Sequence, residues 1–184
     1  VLVAEDGGDM QIVLLAPNGI VLPIVQIVTS GMVLVATPKL PVDSFKDFVV
    51  LAKKDPGKLN MAVAGATGEL AGEAMMAMSG IRMNNVRYKG SSPMHNDLLG
   101  GTIKVAVDSL PQNLQYMKGG QLRLLAVTSP KRVASLPDVP TMIEAGVPGY
   151  EAMSWYMLLA PAKTPVAIIN QLHRETAVAL KGKD

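Results

Sequence analysis

The chain has 184 residues, 49% of them hydrophobic and 17% charged, which is enough apolar matter for a core and excludes a disordered chain. Its formal net charge is +2, and the basic residues form only pairs such as Lys53-Lys54 and Lys131-Arg132, so no nucleic-acid-binding stripe results. Cysteine is absent, which rules out disulfides, thiolate metal sites and cysteine nucleophiles.

In chain order, residues 1–6 lack the basic start and cleavage-like segment of a signal peptide. Residues 11–16 are a short apolar run ending at Pro17-Asn18-Gly19, which reads as a buried strand and a turn. Residues 20–36 are also apolar, but Pro23, Gln26, Thr29, Ser30 and Gly31 interrupt them. They read as buried strand, not as a membrane span, with Thr37-Pro38 as the end. Ser44 then caps a helix over 45–54, with Asp47 near its start, Lys53 and Lys54 at its end and Pro56-Gly57 as the stop. A strand over 59–64 leads through the tight turn Gly65-Ala66-Thr67-Gly68 into a helix over 69–79 closed by Gly80.

The pattern repeats. A strand over 86–88 is followed by Gly90-Ser91-Ser92-Pro93, which opens a helix to residue 99. A strand over 104–107 reaches Asp108, and a helix over 110–118 ends at Gly119-Gly120. Then come a strand over 122–128, a short helix over 141–145, a strand over 154–159 and a helix over 165–180. Alternation of this kind predicts an α/β fold with a mostly parallel sheet. With 4% aromatic residues and 12 methionines, the core is expected to be aliphatic, with Met filling its gaps.

Ligands of such sheets sit beyond the carboxyl ends of the strands, which selects residues 64–69, 88–93 and 107–111. Gly65, Ala66, Thr67 and Gly68 offer backbone N–H groups at a positive helix end, where an organic anion is favoured. The same glycines can serve only the turn, and Thr67 only a cap. Gly90 and Ser91 form a second helix opening, where Ser91 or Ser92 is either a cap or a ligand contact. Tyr88 and Lys89 offer donors there. Asp108, at the end of an apolar strand, either caps the helix after it or accepts from a ligand hydroxyl, ammonium or water. Trp155 is a candidate for the cleft or for the core, and Asn18 for the cleft or its own turn. His95 and His173 show no ligand spacing, so no zinc site is expected.

The rim segments also carry a resemblance. Val86-Arg87-Tyr88-Lys89-Gly90-Ser91-Ser92-Pro93 followed by Asp97-Leu98-Leu99-Gly100-Gly101 resembles the "YKG…P…DLLGG" signature of the Bug family, the solute receptors of tripartite tricarboxylate transporters. Asp108-Ser109-Leu110-Pro111 is similar to its Asp-x-x-Pro. The LRLLAVTSPKR run from Leu122 to Arg132 resembles its "LRALAVTS…R" strand. Leu136-Pro137-Asp138-Val139-Pro140-Thr141, Glu144-Ala145-Gly146, Ser154-Trp155 and Ala160-Pro161 follow in the same order. Each motif is weak alone; their ordered run, from about Pro41 to Pro165, covers roughly two-thirds of the chain.

The resemblance implies a periplasmic-binding-protein-like fold of class II, with two lobes of mostly parallel sheets. Residues 1–33 would be part of the first lobe, 34–150 the second lobe and 151–184 a return to the first. The family's opening loop and C-terminal segment have no match here, so an incomplete first lobe is expected. The implied protein is periplasmic and non-enzymatic. It binds a small carboxylate with Gly65, Ala66, Thr67, Gly68, Tyr88, Gly90, Ser91, Asp108, Asn18 and Trp155, uses no cofactor or metal, and hands its ligand to membrane transporter subunits. Two rival readings share the fold class. A small α/β enzyme finds no Gly-x-Ser-x-Gly elbow, phosphate loop or metal cluster, and Asp108 has no evident histidine partner in the sequence. The effector-sensing domain of a transcription regulator would come with a helix-turn-helix, which is absent.

Overall fold

Side chains alternate across a strand, and a sheet buried on both faces therefore needs apolar residues at consecutive positions. Met61, Ala62 and Val63, and Val105, Ala106 and Val107, meet that requirement and are all buried. The computed structural model in which they are seen describes the backbone of residues 2–6, 9–16 and 19–181 and the side chains of residues 21–181. It divides into two compact units, Ser30–Ser154 and Val1–Thr29 with Trp155–Asp184. The chain passes between them within β3 (Gly19–Ala36) and again within β8 (Met153–Pro161).

The larger unit is a mixed sheet with helices on both faces. It holds the end of β3, β4 (Asn60–Ala64), β5 (Asn84–Tyr88), β6 (Val105–Ser109) and β7 (Arg123–Val127) in the spatial order β5-β4-β6-β3-β7. β4 runs parallel to β5 and to β6, whereas β3 lies antiparallel between β6 and β7. Met32, Leu34, Ala36, Met61, Val63, Val105 and Val107 face one side, where α1 (Phe45–Lys54) and α2 (Gly65–Ser79) pack with Phe45, Phe48, Ala71 and Met75. Val33, Val35, Ala62 and Ala106 face the other, covered by α3 (Ser91–Gly100) and α4 (Leu110–Lys118) through Met94, Leu98 and Leu110. The core is aliphatic and Met-rich as composition predicts, with Met61, Met75, Met94 and Met142 fully buried.

Local chemistry explains the helix ends. Ser44 and Asp47 form a reciprocal capping box at α1, Oγ accepting from the Asp47 N–H at 3.2 Å and Oδ2 from the Ser44 N–H at 3.0 Å. Two expectations need correction. Gly65 to Gly68 are not a turn before a helix but the first turn of α2 itself, whose N-cap is Ala64. Residues 141–145 are not a helix; Thr141 and Glu144 cap one another around a single turn, with the Ala145 N–H bonded to the Thr141 carbonyl at 2.9 Å. The preceding Pro140 and the following Gly146 (φ 111°) leave no room to propagate it.

In the smaller unit β1 (Leu2–Asp6) pairs antiparallel with β2 (Asp9–Ala16), and β2 with the start of β3. Its helix α5 (Val166–Ala179) has no buried residue, and Val166 and Val178 are strongly exposed. No helix among the described residues is long and apolar enough to cross a membrane.

Thr128 ties the two crossing segments together inside the larger unit. Its hydroxyl accepts from the Met32 N–H at 2.7 Å and reaches the carbonyls of Met32 (3.1 Å) and Ala152 (2.5 Å). Thr128→Val keeps the shape and strands a buried N–H, so urea unfolding should show a loss of about 1–3 kcal/mol. Tyr150 is buried, its hydroxyl donating to the Ala71 carbonyl at 2.8 Å, and burial pushes its pKa up to about 12. The folded state therefore keeps this proton to higher pH than the unfolded chain, whose tyrosines titrate near pH ~10. Stability should fall from about pH 10 towards about pH 12, and the fall should be smaller in Tyr150→Phe when urea midpoints are compared across that window.

Candidate functional site

The strand ends align across the larger unit. Val63 pairs with Arg87 on one side and Val107 on the other, so the next residues, Ala64, Tyr88 and Asp108, reach one rim together. β4 and β6 are neighbours, yet α2 leaves β4 towards one face and α4 leaves β6 towards the other. Adjacent strands whose helices diverge in this way define the switch point where α/β sheets bind ligands. The shallow groove lined by Phe45, Lys46, Val49, Lys53 and Val147 lies at the far end of α2, beside Met78 and Ser79, and is separate from this rim.

Three helices begin on the rim, and none has a side-chain cap. The N-caps are Ala64 for α2, Gly90 for α3 and Ser109 for α4, each without a side-chain hydrogen bond to the helix start. Thr67 is the third helical residue and Ser91 the first, so neither acts as the cap that the sequence allowed. Asp108 does not cap α4 either. The leading N–H groups are left for water or a ligand, at the positive end of each helix. Gly65, Ala66, Thr67 and Gly90 are exposed, and Ser91 is half-buried. Gly68 is buried against β6, and a Cβ there would stand 3.3 Å from the Val107 carbonyl oxygen. Its missing side chain eases the close approach of the α2 entrance to the end of β6.

Alternation along β6 puts Asp108 on the same face as Ala106, beneath α3 and α4, where it is 4% exposed. Its Oδ1 accepts from Ser91 Oγ at 2.8 Å, and its Oδ2 from Asn113 Nδ2 at 2.8 Å. His95 Nε2 lies 3.2 Å from Oδ2 and 3.1 Å from Asn113 Oδ1. Both of those neighbours are acceptors, so Nε2 carries the proton. The imidazole packs against Tyr116 in a tilted arrangement, with ring centres 4.6 Å apart and the planes 52° from parallel. The expectation that Asp108 lacks a histidine partner is therefore corrected. Sequence reasoning missed His95 and Asn113, although Ser91 and His95 are four residues apart on one helix and share a face.

Other sequence candidates fall elsewhere. The Tyr88 hydroxyl donates to Asp97 Oδ2 at 2.5 Å, and burial and that carboxylate push its pKa up to about 12. Its proton is committed within the β5–α3 pair. Glu69 is bound by Arg87, whose Nε donates at 2.9 and 3.0 Å and whose guanidinium holds the carboxyl below its ordinary range. That pairing offsets the negative charge near the α2 entrance. Trp155 is half exposed in the smaller unit, and Asn18 lies outside the described residues. Among the described residues no group of three or more His, Asp or Glu is placed to hold a metal ion.

An α/β unit threaded by two crossing segments, with bare helix entrances at a switch point, defines the periplasmic-binding-protein class of two-lobed folds. The chain belongs to the tripartite tricarboxylate transporter family receptors, whose model matches residues 15–182. Protein BugT of Bordetella pertussis is 36% identical over 154 residues, 83% of this chain and 47% of BugT. The UPF0065 protein in the tcbD-tcbE intergenic region of Pseudomonas sp. (strain P51) is 36% identical over 88% of this chain and 49% of its own length. Among solved structures, an R. palustris protein with adipate is 38% identical, with a TM-score of 0.84 over 88% of this chain and 55% of that one. The periplasmic binding protein BugD is 33% identical with a TM-score of 0.81, over 87% of this chain and 54% of BugD. The chain thus spans about half the length of these four relatives.

Gly90 has φ 119° and ψ 171°, a region open essentially to glycine alone. Gly90→Ala should cost about 1–3 kcal/mol in urea unfolding, as its Cβ strains the opening of α3.

Proposed function

We propose that this chain serves in a periplasmic solute-binding receptor that captures a small carboxylate and delivers it to the membrane subunits of a tripartite tricarboxylate transporter. The observation that carries this reading is the convergence of three uncapped helix starts on one rim at the switch point. Backbone N–H groups at such starts bind carboxylates without a bulky side chain or a positive charge. Family membership supports the reading, and so does a relative of 38% identity that was solved with adipate. In this reading of the chain, residues 34–150 form the second lobe, and 1–33 and 151–184 belong to the first, where Asn18 and Trp155 are the candidates for ligand contact. A ligand held more strongly in a closed form than in an open one would shift the population to the closed form.

Binding without turnover fits the order of the buried polar groups. A hydrolase needs its histidine on the serine hydroxyl, as the base that removes the proton. Here the carboxylate stands between Ser91 and His95, and the hydroxyl proton is directed at Asp108. Nothing in that order activates a nucleophile.

Adipate added at rising concentration should raise the thermal midpoint, with saturable heat in calorimetric titration. Gly68→Val should weaken this binding by roughly tenfold or more, because the larger side chain must push the α2 entrance off the Val107 carbonyl. Absence of any shift or heat with adipate and with a broad panel of small mono- and dicarboxylates would overturn the reading.

A further inference from the structure

The hydrogen-bond directions around Asp108 say more than that an acid binds here. Asp108 is buried, and an ionised carboxylate can only accept. Its Oδ2 is served by Asn113 and His95, while among the described residues Oδ1 has one side-chain donor, the Ser91 hydroxyl. A serine hydroxyl has one proton and two lone pairs. The proton of Ser91 is spent on Oδ1, and turning it away would leave a buried carboxylate oxygen without that donor. What Ser91 presents at the half-buried rim is therefore acceptor capacity alone. The Asn113 amide cannot replace it, since Nδ2 also donates to the Ser109 carbonyl at 2.8 Å and the whole side chain is buried.

We infer that Ser91, held by Asp108, is a specificity-determining acceptor that selects carboxylates bearing a hydrogen-bond donor, a hydroxyl or an ammonium, beside the acid group. The inference rests on the carboxylate-receptor reading and sharpens it. The α2 and α3 entrances offer donors to the carboxylate, and one position away Ser91 offers an acceptor. An unsubstituted acid leaves that acceptor to water. A ligand donor fills it directly, and the buried Asp108 charge behind Ser91 favours a donor and disfavours a second carboxylate oxygen there.

Succinate, L-malate and L-aspartate share one carbon skeleton and differ at a single position, which carries hydrogen, hydroxyl or ammonium. Calorimetric titration of the protein with each should give malate or aspartate an affinity roughly tenfold above succinate, the worth of one good hydrogen bond. The hydroxyl and ammonium arms identify which donor is read. Ser91→Ala should bring the preferred acid down to the level of succinate and leave succinate within about twofold. Ser91→Thr, which keeps the hydroxyl, should retain the preference, and circular dichroism confirms that each variant is folded. Equal loss for all three acids in Ser91→Ala would mean that Ser91 acts through structure or a bridging water, and would overturn the inference. So would equal affinity for the three in the parent protein. If adipate binds and none of the three does, the inference falls and the receptor reading stands. If no acid binds, the receptor reading itself falls and the inference with it.

Discussion

A carboxylate on the buried face of a central strand persists only where the elements packed over it supply donors. Asp108 imposes that condition on this fold. It faces α3 and α4 because Ala106 and Asp108 share one side of β6, and both helices answer it: Ser91 and His95 from α3, Asn113 from α4. These contacts do more than satisfy one charge. They set the position of the α3 entrance relative to the end of β6, and they orient the Ser91 hydroxyl that stands at the rim. An apolar residue at 108 would pack the layer without any of this geometry. The buried network is a device for positioning.

Within the larger unit, the treatment of helix starts differs between the rim and the rest. α1 begins with a complete Ser44–Asp47 box, and the turn at Thr141 is closed by Glu144 in the same way. In these two places of the larger unit, away from the rim, N–H groups are satisfied by the chain's own side chains, whereas α5 of the smaller unit starts at Pro165 without a side-chain cap. At the carboxyl ends of β4, β5 and β6 they are not, and the N-caps there are Ala64, Gly90 and Ser109. A missing cap typically costs about 0.5–2 kcal/mol in a helix. Three such omissions on one rim make sense if a ligand or ordered solvent takes the place of the caps. Gly68 adds a steric counterpart, since a Cβ there would crowd the Val107 carbonyl at 3.3 Å.

Much of this was legible in the residues. The alternation of apolar runs and amphipathic stretches foretold the α/β class, and α1 and α4 lie where Ser44, Pro56-Gly57 and Gly119-Gly120 place their ends. Period-two burial, capping and helix-stop chemistry act within a few residues, so they leave local marks. The ordered motifs from Val86 to Pro161 pointed to the family. Some marks misled: Gly65 and Gly68 signal a turn as readily as the first turn of a helix, and the capped loop at Thr141 carries the signature of a longer helix. Strand order, the antiparallel place of β3 and the opposite departures of α2 and α4 left no local mark at all, because they follow from how whole elements pack. His95 is the clearest case. In the sequence it is a lone histidine without a partner; only the folding of α3 over β6 brings it within hydrogen-bond distance of Asp108 and Asn113. Residue types and their spacing thus determined which elements form and which segments meet at the strand ends. The tertiary structure decided which donor faces which acceptor, since that depends on contacts between elements distant along the chain.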